Sequence, residues 1–413
     1  MTFLRPAYEL LLGTDSLFDK IRNFFHYANI TLHCRDFLKP LVRDLHPDLH
    51  VNHINTGAPC LFINGRCWLT PDLYRMFAER ETEHDHLWIY QGQIVAALVR
   101  GENLEFVKNK FKDIPSNKEI IHHLRPRVIA KELDQVSLVS RIWDLVTMNS
   151  KAIEKDFEIK NVGGIIKGDV RPFAVIYEEN NVFIDKNAVI EDFVVLNAST
   201  GPIYIEEGVV IEAYSRIQGP AFIGRESRII GARLLGSSIG QQCKIGGEVS
   251  NSVISRFSNK AHHGFIGHSY LGEWVNLGAQ TTNSNLKNTY GSISLQLEEE
   301  KVSTNLQFLG SFLGDHVKTG IGTLLDTGTI VGFGSSIFGP AIHHKYIPPF
   351  SWGSAGSYEQ YQLKQFFTTA EKMMARRHVE LKPGVKEIVT QLYQENEKKN
   401  LNSLKLENNA VLN

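Results

Sequence analysis

The chain has few cysteines, no excess of either charge and no long apolar run, and each lack excludes a class of protein. Its four cysteines, Cys34, Cys60, Cys67 and Cys243, show no metal-ligand spacing and are too few for a disulfide framework in 413 residues. A reducing cytoplasm is the expected compartment. Lys plus Arg number 44 against 45 Asp plus Glu, so no overall field draws the chain to nucleic acid or to an anionic membrane. Any charged ligand must be held locally. No stretch approaches ~18 uninterrupted apolar residues, and the start of the chain carries an early Arg5 and no extended apolar core. Neither a membrane span nor an export signal is expected.

What is there is a six-residue period. Between Asn181 and Gly339 an aliphatic residue returns at every sixth position, as in Ile184, Ile190 and Leu196, then Ile205, Ile211, Ile217, Ile223, Ile229 and Leu235, then Ile239 and Ile245. Six is neither the helical 3.6 nor the strand's 2, and a hexapeptide period marks a parallel β-helix. One inward aliphatic per hexad builds a column through the solenoid.

Around this repeat the chain divides into three expected parts. Residues 1–160 lack the period and read as an α/β domain with a helix at 17–27, a strand at 59–64, a hairpin at 87–98 turning at Gln91-Gly92, and a connecting helix within 137–157. Residues 161–346 form the solenoid. Residues 347–413 open on Pro348-Pro349 and form a helical extension, with helices at 358–378 and 384–398. The first of these ends in Arg376-Arg377, which suits a helix C-terminus.

Chemistry is concentrated at 246–290, where the six-residue repeat is read as interrupted. Glu248, Lys260, His262, His263, His268, Asn276, Asn283, Asn285 and Lys287 crowd into this stretch. Residues ~15 to 20 apart stack on adjacent coils, so Glu248, His262 or His263, and Asn276 are expected to share one groove. A carboxylate beside an imidazole fixes its tautomer and raises its basicity, which a general base near neutral pH needs. Solvated surface histidines are the alternative reading. His343-His344-Lys345 is read as a solvated loop, Asp315-His316 as surface, and Trp274 and Trp352 as packing residues.

On these residues the chain resembles a known family. The runs Ser258-Asn259-Lys260-Ala261-His262-His263-Gly264-Phe265-Ile266-Gly267, Gly272-Glu273-Trp274-Val275-Asn276-Leu277-Gly278-Ala279 and Asn283-Ser284-Asn285 resemble the acetyltransferase half of the bifunctional N-acetylglucosamine-1-phosphate uridyltransferase / glucosamine-1-phosphate N-acetyltransferase. Along nearly its whole length the chain looks closer still to a group of sugar nucleotidyltransferases related to that enzyme. The resemblance implies a left-handed parallel β-helix after a nucleotidyltransferase-like α/β domain, and a homotrimer. It implies acetyl transfer from acetyl-coenzyme A to an amino sugar or its phosphate in nucleotide-sugar biosynthesis. Position by position, His262 corresponds to the catalytic base, with His263 one residue away, and Glu248 to the carboxylate that orients it. Phe265 stands where the family has a sugar-contacting tyrosine, and Asn276 matches the amide that binds the sugar. Asn285 lies beside the thioester, while Ala279, Gly320 and Ile321 lie where the backbone meets coenzyme A.

Departures from the pattern shape the rest. The family holds the sugar phosphate with an Arg and a Lys; Arg233 stands at or next to the first position and Ser250 at the second, leaving Lys244 or Lys260 as the substitute. In residues 1–160 no G-x-G-x-x-R loop occurs to cradle a triphosphate. Arg66 follows the strand whose end carries a metal-binding Asp in the family, and an Arg cannot ligate a cation. Nucleotidyl transfer, with Mg²⁺ needed only if this domain is active, is therefore the alternative function, and a non-catalytic sugar-nucleotide-binding scaffold the second.

Overall fold

The computed structural model describes residues 2–54, 57–78, 83–111, 117–298 and 300–410, with side chains to 398. By its contacts the chain splits into two compact units. The first comprises Thr2–Leu10 and Asp15–Ser140, and the second Leu11–Thr14 and Arg141–Asn413 together with residue 1.

In the first unit a four-stranded sheet runs in the order Cys60–Ile63, Gln93–Val99, His86–Tyr90, Ile129–Glu132. The expected strand and hairpin are its first three members, and the turn holds Gln91 and Gly92 at φ 48° and 72°. Two left-handed residues make the turn that matches strand twist. Alternation then builds two faces. Leu87, Ile89, Ala97 and Val99 pack with Leu104, Val107, Ile120 and Leu124 of the helices Gly101–Lys110 and Asn117–Leu124, while Trp88, Ala96 and Leu98 pack with Leu73 and Phe77. Helix Leu17–Phe24 starts at Ser16, whose hydroxyl accepts from the Asp19 amide at 3.0 Å.

The second unit is a parallel β-helix with three ladders per coil, as the period predicts. On the first face Ile184, Ile205, Ile223, Ile239, Ile254, Leu271, Leu313, Val331 and Ile347 stack in register. On the second, Ile190, Ile211, Ile229 and Ile245 are followed by Lys260. On the third, Leu196, Ile217, Leu234, Val249 and Ile266 stack. These residues, Lys260 included, are 2% exposed or less.

Three expectations change here. The inward residue after Ile229 is Leu234 and not Leu235, because the ladder shifts register between Ile230 and Arg233, where Gly231 takes φ 52°. The solenoid does not break at 246; strands Lys244–Ser250, Asn259–Lys260, Phe265–Gly267, Asn276–Leu277 and Thr282–Asn283 continue it. The insertion comes later, over residues 284–310, and carries the hairpin Ser294–Leu297 with Glu300–Ser303. Parallel pairing also passes beyond 346 to Ser351–Ser354, whose antiparallel partner Ser357–Gln360 takes the start of the helix expected at 358. The helices are Leu363–Ala375 and Pro383–Ala410. None of the described helices is long and apolar enough to cross a membrane.

The connecting segment is two helices, Ile142–Thr147 and Asn149–Lys160, and both lie in the solenoid's unit although the boundary was expected at 160. Buried polar groups explain the attachment. Asn149 Oδ1 accepts from the Gly13 amide at 2.9 Å and from the Ser238 hydroxyl at 3.0 Å, and Asp156 accepts from the Thr14 amide at 2.8 Å. Phe157 meets Tyr204 edge-on at 6.4 Å.

Because the column is the core, Ile229→Ala is expected to cost roughly 2–5 kcal/mol, read from denaturant unfolding. Tyr214→Ala, at a corner where the ring is 77% exposed, should cost no more than about 1 kcal/mol. Equal losses would show that the column is not what holds the coils.

Candidate functional site

The corner between the second and third faces gathers five of the residues picked out above. It is built from Gly246-Gly247, then 261–264, then 278–281, then 320–323 on successive coils. The Gln280 amide donates to the His263 carbonyl at 2.8 Å and the Gly322 amide to the Ala279 carbonyl at 2.8 Å. His262 and His263 are exposed here, and Ile321 is 78% exposed. Gly264, at φ 131°, closes the turn after the histidines; a Cβ there would collide with the Thr281 carbonyl. His262, His263, Ala279, Gly320 and Ile321 thus share one edge.

Two rows flank that edge. On the third face Arg233, Glu248 and Phe265 are register partners, each about 4.8 Å from the next along the ladder. On the second face Lys244, Asn259, Asn276 and Lys318 are partners. Glu248 and Asn276 therefore do not stack on one edge as expected. Glu248's neighbours are Arg233 and Phe265, Asn276's are Asn259 and Lys318, and the histidine corner lies between the two rows.

Lys260 is the clearest correction. It is 2% exposed and sits in the inward column, where its ammonium donates to the Gly246 carbonyl at 2.8 Å and the His262 carbonyl at 2.7 Å. It braces the histidine corner from inside and cannot reach a phosphate in solvent. Asn283 is likewise internal at 4% exposed. Its amide clamps the coils, accepting from the Gly267 amide at 2.9 Å and donating to the Gly267 carbonyl at 3.0 Å.

Asn285 lies at the far edge of the third face, past Asn283. Its amide nitrogen donates to His268 Nδ1 at 2.9 Å, and the imidazole stacks on Phe308 at 5.4 Å. Burial holds the His268 pKa below its ordinary value, which keeps the ring a neutral acceptor at Nδ1. A methyl group on Gly267 would meet both the Phe265 ring and the Asn285 amide nitrogen, so these two come together over that glycine. The partnership of His268 with Asn285 was missed; seventeen residues, one coil, was its only signal.

Other placements differ from expectation as well. Asp315 and His316 are buried, at 1% and 3% exposed. Asp315 accepts from the Glu273 amide at 2.8 Å, and His316 stacks on Trp274 and meets Phe366. His343 is 2% exposed, with Nδ1 at 2.5 Å from the Tyr358 hydroxyl. Trp274 packs as expected, stacked on Phe257 at 4.2 Å, and Trp352, though 42% exposed, meets Phe338 edge-on at 4.9 Å.

The first unit has a pocket of about 310 Å³ lined by Pro6, Tyr8, His33, Arg35, Gly65 and Arg66 among others. Arg66 is already engaged, donating to the Val139 carbonyl at 3.2 Å and to Gln93 at 2.5 Å. Among the described residues no group of three His, Cys, Asp or Glu could hold a metal ion.

Residues 1–163 match the sugar nucleotidyl transferase family. A bifunctional sugar-1-phosphate nucleotidylyltransferase/acetyltransferase of Sulfurisphaera tokodaii is 32% identical over 204 residues, covering 49% of this chain and 45% of its own length. The bifunctional protein GlmU of Methanococcus vannielii is 27% identical over 267 residues, covering 59% of this chain and 55% of its own. The chain spans about half the length of these relatives. Among solved structures, a Francisella novicida UDP-N-acetylglucosamine acyltransferase matches 55% of this chain and 78% of its own at 15% identity and a TM-score of 0.31.

The buried lysine has a measurable consequence. Burial pushes Lys260 down to about 8, so between about pH 8 and the ordinary lysine value of ~10.4 the folded state binds fewer protons than the unfolded chain. Stability then rises with pH across that window. Lys260→Met is expected to remove the rise, worth up to roughly 3 kcal/mol. Urea unfolding at about pH 7.5 and about pH 10 checks it; an unchanged wild-type-minus-variant difference would refute the assignment.

Proposed function

From the relationship of this chain to the bifunctional sugar-1-phosphate nucleotidylyltransferase/acetyltransferases, we propose that it is a cytoplasmic acetyltransferase of nucleotide-sugar biosynthesis. The donor is acetyl-coenzyme A and the acceptor the amine of a sugar or sugar phosphate. The observation that carries this reading is the single edge where His262 and His263 stack with Ala279, Gly320 and Ile321, flanked by Glu248 on one side and Asn276 on the other. His262 takes a proton from the amine as nitrogen attacks the thioester carbonyl carbon. The C–S bond breaks, the amide forms, and the thiolate leaves as coenzyme A thiol after regaining a proton. Glu248, on the third-face flank of that corner, is assigned to orient the imidazole. Phe265, which lacks the family's hydroxyl, offers the sugar a ring face only, and Asn285 stands beside that ring. An open edge gives pantetheine a backbone to lie along. A homotrimer, which brings a second copy's face over such an edge, is part of the same proposal.

A second reading has its own support, the match of residues 1–163 to the sugar nucleotidyl transferase family. The pocket with Arg35 and Arg66 suits a nucleotide or sugar phosphate. At the strand end stands Arg66, which cannot ligate the Mg²⁺ that pyrophosphate release requires. Binding without turnover is the form in which we retain it.

With glucosamine, glucosamine 1-phosphate and nucleotide-linked amino sugars, thiol release from acetyl-coenzyme A is expected for at least one acceptor. His262→Ala should lower it roughly 10²-fold or more, and His263→Ala by less than about 10-fold. No release with any acceptor, or an equal loss in both variants, would sink the assignment. Pyrophosphate release from nucleoside triphosphates with the matching sugar 1-phosphates and Mg²⁺ should be absent; finding it would revive nucleotidyl transfer.

A further inference from the structure

A second pocket, of about 100 Å³, lies within the solenoid's unit, where the end of helix Leu363–Ala375 meets the second face. Lys244, Phe257, Asn259, Trp274, Met373, Arg376 and Arg377 line it. We propose that it is a site for a phosphomonoester group. Three cations from two separate elements converge on it, in a chain whose net charge is −1. Among the described residues no ion pair joins any of the three to a carboxylate. Glu273, the carboxylate beside Trp274, is held by Arg256 at 2.7 Å.

Basic residues at the end of a helix can serve only its own carbonyls. Two observations go beyond that role. Arg377 donates to Asn259 Oδ1 on the solenoid at 2.9 Å, which aims its guanidinium across the gap rather than back along the helix. Lys244 comes from the solenoid and shares no helix with the arginines. The wall between them is the stacked pair Phe257 and Trp274, with Met373, and apolar walls strengthen the attraction of a cation for an anion.

Size and place select the ligand. The volume, about 100 Å³, is enough to admit a phosphate group. Asn259 in turn donates to Asn276 Oδ1 at 3.4 Å, so the pocket adjoins the row assigned to substrate. For the identity of its ligand the site rests on the acetyl-transfer reading. There the phosphomonoester is either the acceptor's 1-phosphate or the 3′-phosphate of coenzyme A.

The test is made on the full chain without turnover. Inorganic phosphate at constant ionic strength is expected to raise the Tm of the wild type above that in chloride, and to lose this effect in the double variant Lys244→Gln, Arg376→Gln. Both side chains reach solvent, and circular dichroism confirms that the variant is folded; Arg377→Gln alone, read the same way, stands in if it is not. Calorimetric titrations with coenzyme A against dephospho-coenzyme A, and with glucosamine 1-phosphate against glucosamine, then identify the source. One pair should differ by about 10-fold or more in Kd, as a 1.4 kcal/mol charge-assisted contact gives, and the variant should erase that difference. A phosphate effect equal in wild type and variant, or none in the wild type, overturns the site. A phosphate effect that depends on these cations, in a protein that releases no thiol, upholds the site and discards acetyl transfer.

Discussion

Parallel strands stacked in register put the same position of every coil into one column, and that constraint governs both the core and the site of this solenoid. A column of aliphatic side chains excludes water, so a polar residue that enters it must be satisfied by the coils themselves. Lys260, Thr319 and Asn283 occupy such positions. Lys260 is held by two carbonyls, the Thr319 hydroxyl contacts Thr281 Oγ1 at 2.7 Å, and Asn283 is bonded to both the amide and the carbonyl of Gly267. Lys260 and Thr319 lie beside the corner that carries His262 and His263. Burying a lysine there is unfavourable, and what it secures is the path of the backbone: its two acceptors are the carbonyls of Gly246 and His262, one from each of two adjacent coils. The geometry of the exposed histidines is thus set from beneath.

Periodicity made the fold legible and also limited the detail that could be read. A sixfold repeat of aliphatics admits only one architecture, and Ile205, Ile211, Ile217, Ile223 and Ile229 stand where it places them. The repeat cannot announce a coil that shortens. Leu235 reads as the next hexad residue, yet Gly231 shifts the register and Leu234 turns inward. The same rigidity hid the role of Lys260: a lysine between Asn259 and Ala261 reads as surface until its register partner proves to be Ile245. Asp315, His316 and His343 were misplaced for a related reason. Their burial comes from chain far away in sequence, including Phe366 of the helical extension and Tyr358 of the closing strand, and no local pattern carries that information.

The site was half legible. A spacing of one coil showed which residues share a corner, and His262 and His263, Ala279 and Gly320 do. It could not show which face a neighbouring polar residue takes, because a shift of a few residues around a coil carries a side chain across a corner. Glu248 and Asn276 consequently fall on opposite flanks, and Asn285 turns out to be coupled to His268. The Arg376-Arg377 pair carried even less signal, since two arginines at the end of a helix satisfy that helix and give no hint of the solenoid face they meet.

Placing the charges on separate faces also has a chemical logic. A phosphomonoester brings up to two negative charges, and a dianion packed beside Glu248 would raise the pKa of both the carboxyl and the imidazole by like-charge repulsion and attraction respectively. The base would then stay protonated when it must accept a proton. With Lys244 on the second face, Arg376 and Arg377 on the helix end that meets it, and Glu248 on the third face, a phosphate bound as proposed is neutralised where it binds, away from the carboxylate. In a chain with almost no net charge, function depends on where single charges sit, and the three-sided coil keeps them apart by construction.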